Sequence, residues 1–234
     1  MTGAKAARKA AEAAECERIW QNLKSLMAGD DPENAYEYQR TLDGIRSLAT
    51  KSALPEHVAC EIAEVMRPLA GDRRCQTYAA TVANYIRPHA AQRILAEEQQ
   101  LWEALASNDC LPEDIQISLA RYGNNQVTEN LTDNWATGEA AIRILWGRLK
   151  IDNNYIAATP QTTQRRLLES PAWEYLLDNP NVSGETLTEI WEKLRHSSPA
   201  GGDTEDDILA HPNCPDRLVE EIRDSAVEEA RIDH

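Results

Sequence analysis

Two short pairings could in principle hold a soft metal ion: His57-Val58-Ala59-Cys60 and His211-Pro212-Asn213-Cys214 each set an imidazole and a thiol three residues apart. A closed zinc site takes four such ligands, and neither pair has a companion pair nearby in sequence, so no metal is expected. The cysteines, Cys16, Cys60, Cys75, Cys110 and Cys214, are odd in number and widely spread. That pattern predicts free, packed thiols in place of disulfides. No nucleophile elbow, phosphate-binding loop, H-E-x-x-H or dinucleotide fingerprint occurs. The chain is therefore expected to be no enzyme, with no catalytic residue and no cofactor; an acid pair assembled across distant parts of the chain stays open.

Charge offers two further candidates. Arg67, Arg73, Arg74, Arg87 and Arg93 lie close in sequence with only Asp72 among the acids of that stretch up to Arg93, and Tyr78 and Tyr85 stand between them. Such a cluster could receive phosphate or an acidic protein surface; equally, Arg67 and Arg87 could finish helices while the others pair with neighbouring acids. Downstream the sign reverses. Glu97, Glu98, Glu103, Asp109, Glu113 and Asp114 come with no base between them, and Asp203, Glu205, Asp206 and Asp207 form a second run. These could imitate a nucleic-acid backbone, or they could be solvated faces and first-turn acids at helix starts. The 203–207 run lacks the glycine and the later glutamate of a calcium loop.

The elements that must position these residues repeat. Leu177-Asp178-Asn179-Pro180-Asn181-Val182-Ser183-Gly184-Glu185 closes one short helix, makes a polar turn, caps a second helix at Ser183 and continues through Leu187, Ile190, Trp191 and Leu194 at helical spacing. Looser copies begin at Leu48, Leu105, Leu131 and Leu209, and Ile156 to Pro160 reads as a degenerate one. Aligned on those starts, a small apolar column emerges: Ala53, Cys110, Ala136, Val182 and Cys214. It is expected to face inward. Trp135 is the exception in its own column, whose other members, Ser52, Asp109, Asn181 and Asn213, are turn residues that meet solvent. An indole there is either an exposed anchor or tucked beneath an adjacent loop.

The phrases Leu-Ala-His-Pro-Asn-Cys-Pro at 209–215 and Leu-Asp-Asn-Pro-Asn-Val-Ser at 177–183 resemble the leucine-rich repeat variant family, over about residues 105–225. The resemblance implies short helix pairs stacked into a superhelix. It also implies a scaffold for binding, while the clustered cysteines of the family's iron-sulfur member are absent here. Function must then be argued from sites and not from the fold.

Before the repeats, residues 3–28 read as an Ala-rich helix carrying Ile19, Trp20 and Leu23 on one face, and Asp31-Pro32-Glu33 starts a second with Tyr38, Leu42, Ile45 and Leu48. The expected architecture is all-α: an N-terminal helical cap over residues 1–47, with a dimerisation hairpin as the alternative, and an α-solenoid of short helix pairs over 48–234. Single helices are expected over 89–106, 138–149 and 185–194, short ones at 127–131 and 173–177, and a loop from Ser197 to Gly202. Trp102, Trp146 and Trp191 should be core; Trp173 is undecided.

No apolar stretch approaches the ~20 residues that cross a bilayer, and the first residues lack the apolar segment of a signal peptide, so a cytoplasmic protein is expected. The net charge of -15 disfavours general binding to duplex nucleic acid. These features together predict a helical-repeat protein that recognises another macromolecule, most naturally a protein, with Trp135, Arg67, Arg73, Arg74, Arg87 and Arg93 as contacts. An acidic inhibitor that occupies a nucleic-acid site is the alternative. Oligomeric state has no signature in the sequence.

Overall fold

The computed structural model describes residues 2–29, 35–156, 174–194 and 202–232. Every regular element in them is helical. The helix start at Asp31, Trp173, the segment from Ala157 to Pro160 and the loop from Ser197 to Gly201 lie outside the described residues, as does the side chain of Tyr38. Among the described residues no helix is long and apolar enough to cross a membrane. Contacts group the chain into two units, Met1–Ile115 and Gln116–His234.

The first unit opens with helices Thr2–Gly29 and Ala35–Ala49. Side chains 4–12 are all exposed, and burial begins at Cys16, Trp20 and Leu23, where the first helix meets the second. A Cβ on Gly44 would stand 2.7 Å from Leu23, so the two helices approach closely because that residue has no side chain. Helix Glu56–Met66 follows, burying Val58, Ala59, Ile62, Ala63 and Met66 at helical spacing. Its Glu61 accepts hydrogen bonds at 2.7 Å from both the Trp20 indole and the Lys24 ammonium, which ties the first helix to it.

A 3-10 turn, Arg67–Gly71, leads to helices Gln76–Tyr85 and His89–Ala96. Arg67 and Arg87 therefore lie just beyond the helices they were expected to finish. The single helix expected over 89–106 is also broken, into His89–Ala96, a 3-10 turn Gln99–Leu101 and Trp102–Ala106. Glu98 is extended at the break, and the Trp102 indole donates to the Ala96 carbonyl at 2.8 Å, satisfying an acceptor that the interrupted helix leaves open. That bond keeps Trp102 half-buried, outside the fully buried core.

The second unit takes in the end of Glu113–Tyr122, then Asn125–Asp133, Glu139–Ile156, Glu174–Leu177, Gly184–Leu194, Gly202–Ala210 and Asp216–Ile232. Ile142, Trp146, Leu176, Val182, Leu187, Ile190, Trp191, Ile208, Leu218 and Ile222 form one apolar cluster drawn from successive helices. Ser183 caps Gly184–Leu194, its hydroxyl accepting the Thr186 N–H at 3.3 Å, as the spacing predicts.

Five turns share one backbone pattern. Leu54, Leu111, Thr137, Val182 and Cys214 each donate their N–H to the residue three before: Lys51, Asn108, Asn134, Asn179 and His211. Lys51, Asn108, Asn179 and His211 donate in turn to Leu48, Leu105, Leu176 and Ile208. The same turn thus recurs, but its last two copies begin at Leu176 and Ile208, one residue earlier than Leu177 and Leu209.

That shift corrects the small apolar column. Its true members are Leu54, Leu111, Thr137, Val182 and Cys214, all buried except the half-buried Cys214. Ala53, Cys110 and Ala136 belong one place earlier, beside Asn181 and Asn213. Thr137 fits an apolar position because its hydroxyl donates to the Leu131 carbonyl at 2.7 Å, leaving a methyl to the interior. The one-residue slip arose because both Leu176 and Leu177 are apolar, and only Leu176 carries the turn's first hydrogen bond.

Candidate interaction surface

The basic and acidic clusters engage each other. Arg67 is paired with Glu64 and with Glu97, Arg87 stands 3.6 Å from Asp109, and Arg93 forks onto Asp114 at 3.1 and 3.2 Å. Three of the arginines proposed as contacts thus face three of the carboxylates proposed as a mimicking row. The hydrogen bond from Arg93 holds the Asp114 carboxyl below the ordinary carboxylate range. Arg73 and Arg74 are exposed and make no ion pair among the described residues. The backbone N–H of Arg74 donates to Asp72 Oδ1 at 2.8 Å, which orders the turn and not the guanidinium. Tyr78 is half-buried with Arg46 over its ring at 5.8 Å, and Tyr85 is exposed.

The sequence motifs that suggested metal are occupied otherwise. His57 Nε2 lies 3.2 Å from Glu17. His211 is buried, its Nε2 donating to the Asn179 carbonyl at 3.0 Å and its Nδ1 accepting the Asn213 N–H at 3.1 Å, so neither nitrogen is open to a ligand. Among the described residues no group of three or more His, Cys, Asp and Glu converges. Burial pushes the thiols of Cys16, Cys60, Cys110 and Cys214 above their ordinary value, so little thiolate is present for chemistry.

Trp135 is 71% exposed. What sets it apart from an ordinary surface aromatic is the backbone beneath it. Asn134 Oδ1 accepts the Ala136 N–H at 3.0 Å, making a side-chain-closed turn. From one side the buried Gln116 amide brackets that turn, donating to the Ala136 carbonyl at 3.0 Å and accepting the Gly138 N–H at 2.8 Å. From the other side Asn179 donates to the Asn134 carbonyl at 3.1 Å, and Asn181 donates to the Trp135 and Thr137 carbonyls at 3.0 and 3.1 Å. All four carbonyls from 134 to 137 are thereby engaged.

The next turn is held the same way. Asn179 Oδ1 accepts the Asn181 N–H, His211 reaches the Asn179 carbonyl, and Asn213 donates to Pro180 and Val182, each at 2.9 Å. His211 thus does at its turn what Asn179 does one turn before, with Nδ1 in the place of the amide oxygen and Nε2 in the place of the amide nitrogen. In the first unit Asn108 accepts the Cys110 N–H and donates to Ala83 and Ile86. Sequence reasoning passed over this column of Asn108, Asn134, Asn179 and His211. Its signal was present as Leu-x-x-Asn at 105, 131 and 176.

In this register Trp135 aligns with Ser52, Asp109, Pro180 and Pro212, all of them exposed. Of the expected contacts, Trp135 belongs to one unit and the five arginines to the other, and three of the five are already paired. Compared with known proteins, the chain matches no family model, no curated protein and no solved structure.

Proposed function

We propose that the chain is a non-enzymatic helical-repeat protein, an α-solenoid of the leucine-rich repeat variant kind, that recognises another protein through the edge of its stacked turns. The observation that carries this reading is an indole 71% exposed on a turn whose four carbonyls are all hydrogen-bonded. Leaving a large aromatic in water forgoes about 1.5–3 kcal/mol of burial. Fixing its backbone in advance removes part of the ordering cost of association, which is how strong contact residues are prepared. Recurrence of the same turn at 48, 105, 131, 176 and 208 supports the repeat architecture.

The acidic-inhibitor alternative needs carboxylates free along one face, and Glu97, Asp109 and Asp114 are engaged by arginine. Arg67, Arg87 and Arg93 are correspondingly weaker contact candidates than Trp135, Arg73 and Arg74. The test is affinity capture from host lysate with the wild-type chain, Trp135→Ala and Arg73→Glu/Arg74→Glu, read by mass spectrometry. A protein recovered by wild type and lost with Trp135→Ala supports the reading. Equal recovery by wild type and Trp135→Ala removes Trp135 as the contact.

A further inference from the structure

The partner's chemistry can be narrowed, on the premise that Trp135 is a contact residue. The hydrogen-bonded register sets Trp135, Pro180 and Pro212 at equivalent positions of three turns, each hydrogen-bonded to the next, and all three are exposed. Proline has no N–H, and the carbonyls of Trp135 and Pro180 are already taken by Asn181 and Asn213. Such an edge offers a partner ring and methylene surfaces with little open backbone, so it suits stacking and not strand pairing.

The turn segments themselves carry acids and no lysine or arginine, although Arg143 reaches Glu139 and Arg217 follows Asp216. Residues 133–139, 178–184 and 210–216 contain Asp133, Glu139, Asp178 and Asp216 and neither lysine nor arginine. Glu139 is paired with Arg143 at 3.3 Å; Asp133 and Asp178, each two residues before the ridge residue of its turn, are exposed and make no ion pair among the described residues. An exposed indole face with unpaired carboxylates on its own and the adjacent turn is the arrangement that receives a guanidinium, which stacks on the ring while its edge pairs with oxygen.

We infer that the Trp135–Pro180–Pro212 edge binds an extended, arginine-bearing segment of a partner protein, with one guanidinium on the Trp135 ring and flanking basic side chains toward Asp133 and Asp178. The overall charge of -15 favours encounter with such a segment but does not by itself place it. The Trp135 ring does.

The test separates placement from general attraction. A labelled peptide of alternating Arg and Gly is titrated by fluorescence anisotropy against four versions of the full chain. These are wild type, Trp135→Ala, Asp133→Asn/Asp178→Asn, and Glu192→Gln/Asp224→Asn as a control that removes the same charge from exposed helical positions of the same unit. Trp135→Ala should weaken binding ~10-fold with no change of net charge. Asp133→Asn/Asp178→Asn should weaken it about 5-fold and flatten its salt dependence, and the control should change it by less than about 2-fold.

A Lys-Gly peptide of equal charge should bind more weakly than the Arg-Gly peptide to wild type and equally to Trp135→Ala. Equal losses in both double variants, or no loss with Trp135→Ala, would overturn the inference. Trp135-dependent capture of a partner from lysate alongside Trp135-independent binding of the peptide would overturn the cationic ligand while leaving the contact role of Trp135 in place.

Discussion

The two units hold their neighbouring elements together by different means. In Met1–Ile115 the long-range side-chain links are mostly ionic: Lys24 to Glu61, and Arg67, Arg87 and Arg93 to Glu97, Asp109 and Asp114. In Gln116–His234 they are mostly amides and an imidazole donating to backbone carbonyls: Gln116, Asn179, Asn181, His211 and Asn213. Arg143 with Glu185, and Asn108 with Ala83, show that neither unit uses one kind alone. The difference teaches where specificity of packing resides. Exposed ion pairs on long side chains contribute about 0–1 kcal/mol and are screened by salt. A buried amide that loses its partner leaves a desolvated polar group costing about 1–3 kcal/mol.

The comparison breaks most visibly at Asn179. Replacing it with Leu removes the donor to the Asn134 carbonyl and the acceptor of the Asn181 N–H, both supplied by a buried amide, and should cost about 2–4 kcal/mol. Hydrogen exchange should then show lost protection in residues 176–194 and 202–222 at any ionic strength. Recovery of that protection in high salt would mean that charge, and not the amide, holds the turn.

Gly184→Ala probes the same stack sterically. Its Cβ would stand 2.8 Å from the Asn213 carbonyl and 2.7 Å from Pro215, so one turn must move off the next, at about 1–3 kcal/mol in urea unfolding. A fully stable variant would show that the turns have room to slide. His211 gives a finer test. Because its two nitrogens duplicate the two ends of an asparagine amide, His211→Asn should stay within about 1 kcal/mol of wild type while His211→Leu loses about 1–3 kcal/mol. Equal losses would refute the equivalence.

The smallest effect belongs to the first unit. Arg93→Gln should cost no more than about 0.5 kcal/mol, the pair being more than half exposed, and less still in high salt. Acid should reproduce it. Arg93 lowers the Asp114 carboxyl, and Lys24 followed by Trp20 lowers that of Glu61. A lowered folded-state value means the contribution is present above the unfolded value, near pH 4, and disappears as pH falls through the folded one. Proteolysis within residues 35–115 should therefore quicken below about pH 4 in wild type and less steeply in Arg93→Gln/Glu61→Gln. Identical acid profiles would show these pairs to be without consequence.

Much of the helical pattern was legible because apolar spacing and caps are local. Val58, Ile62, Leu119, Ile190 and Ser183 sit where periodicity puts them. The break before Trp102 was not, since it depends on an indole reaching a carbonyl six residues back. The charge clusters left two readings open for a related reason: Arg67 to Glu97 and Arg93 to Asp114 are separated by 30 and 21 residues, so a linear reading offers patches or pairs without choosing, and the fold makes pairs. Trp135 was legible as an anomaly, and it remained one after its column was moved by one residue. The supports beneath it, Gln116 and Asn181, were not, because an amide looks the same in sequence whether it meets water or a neighbouring main chain.

Where the side-chain amides of Asn179, Asn181 and Asn213 donate to the neighbouring turn, main-chain oxygens accept, and every amino acid carries one. A turn can consequently receive its neighbour's grip whatever side chain it displays outward. The outward position is left open to substitution without loosening the stack, which lets tryptophan stand at 135 where its counterparts are proline, and would let a different side chain there redirect recognition while the scaffold stays the same.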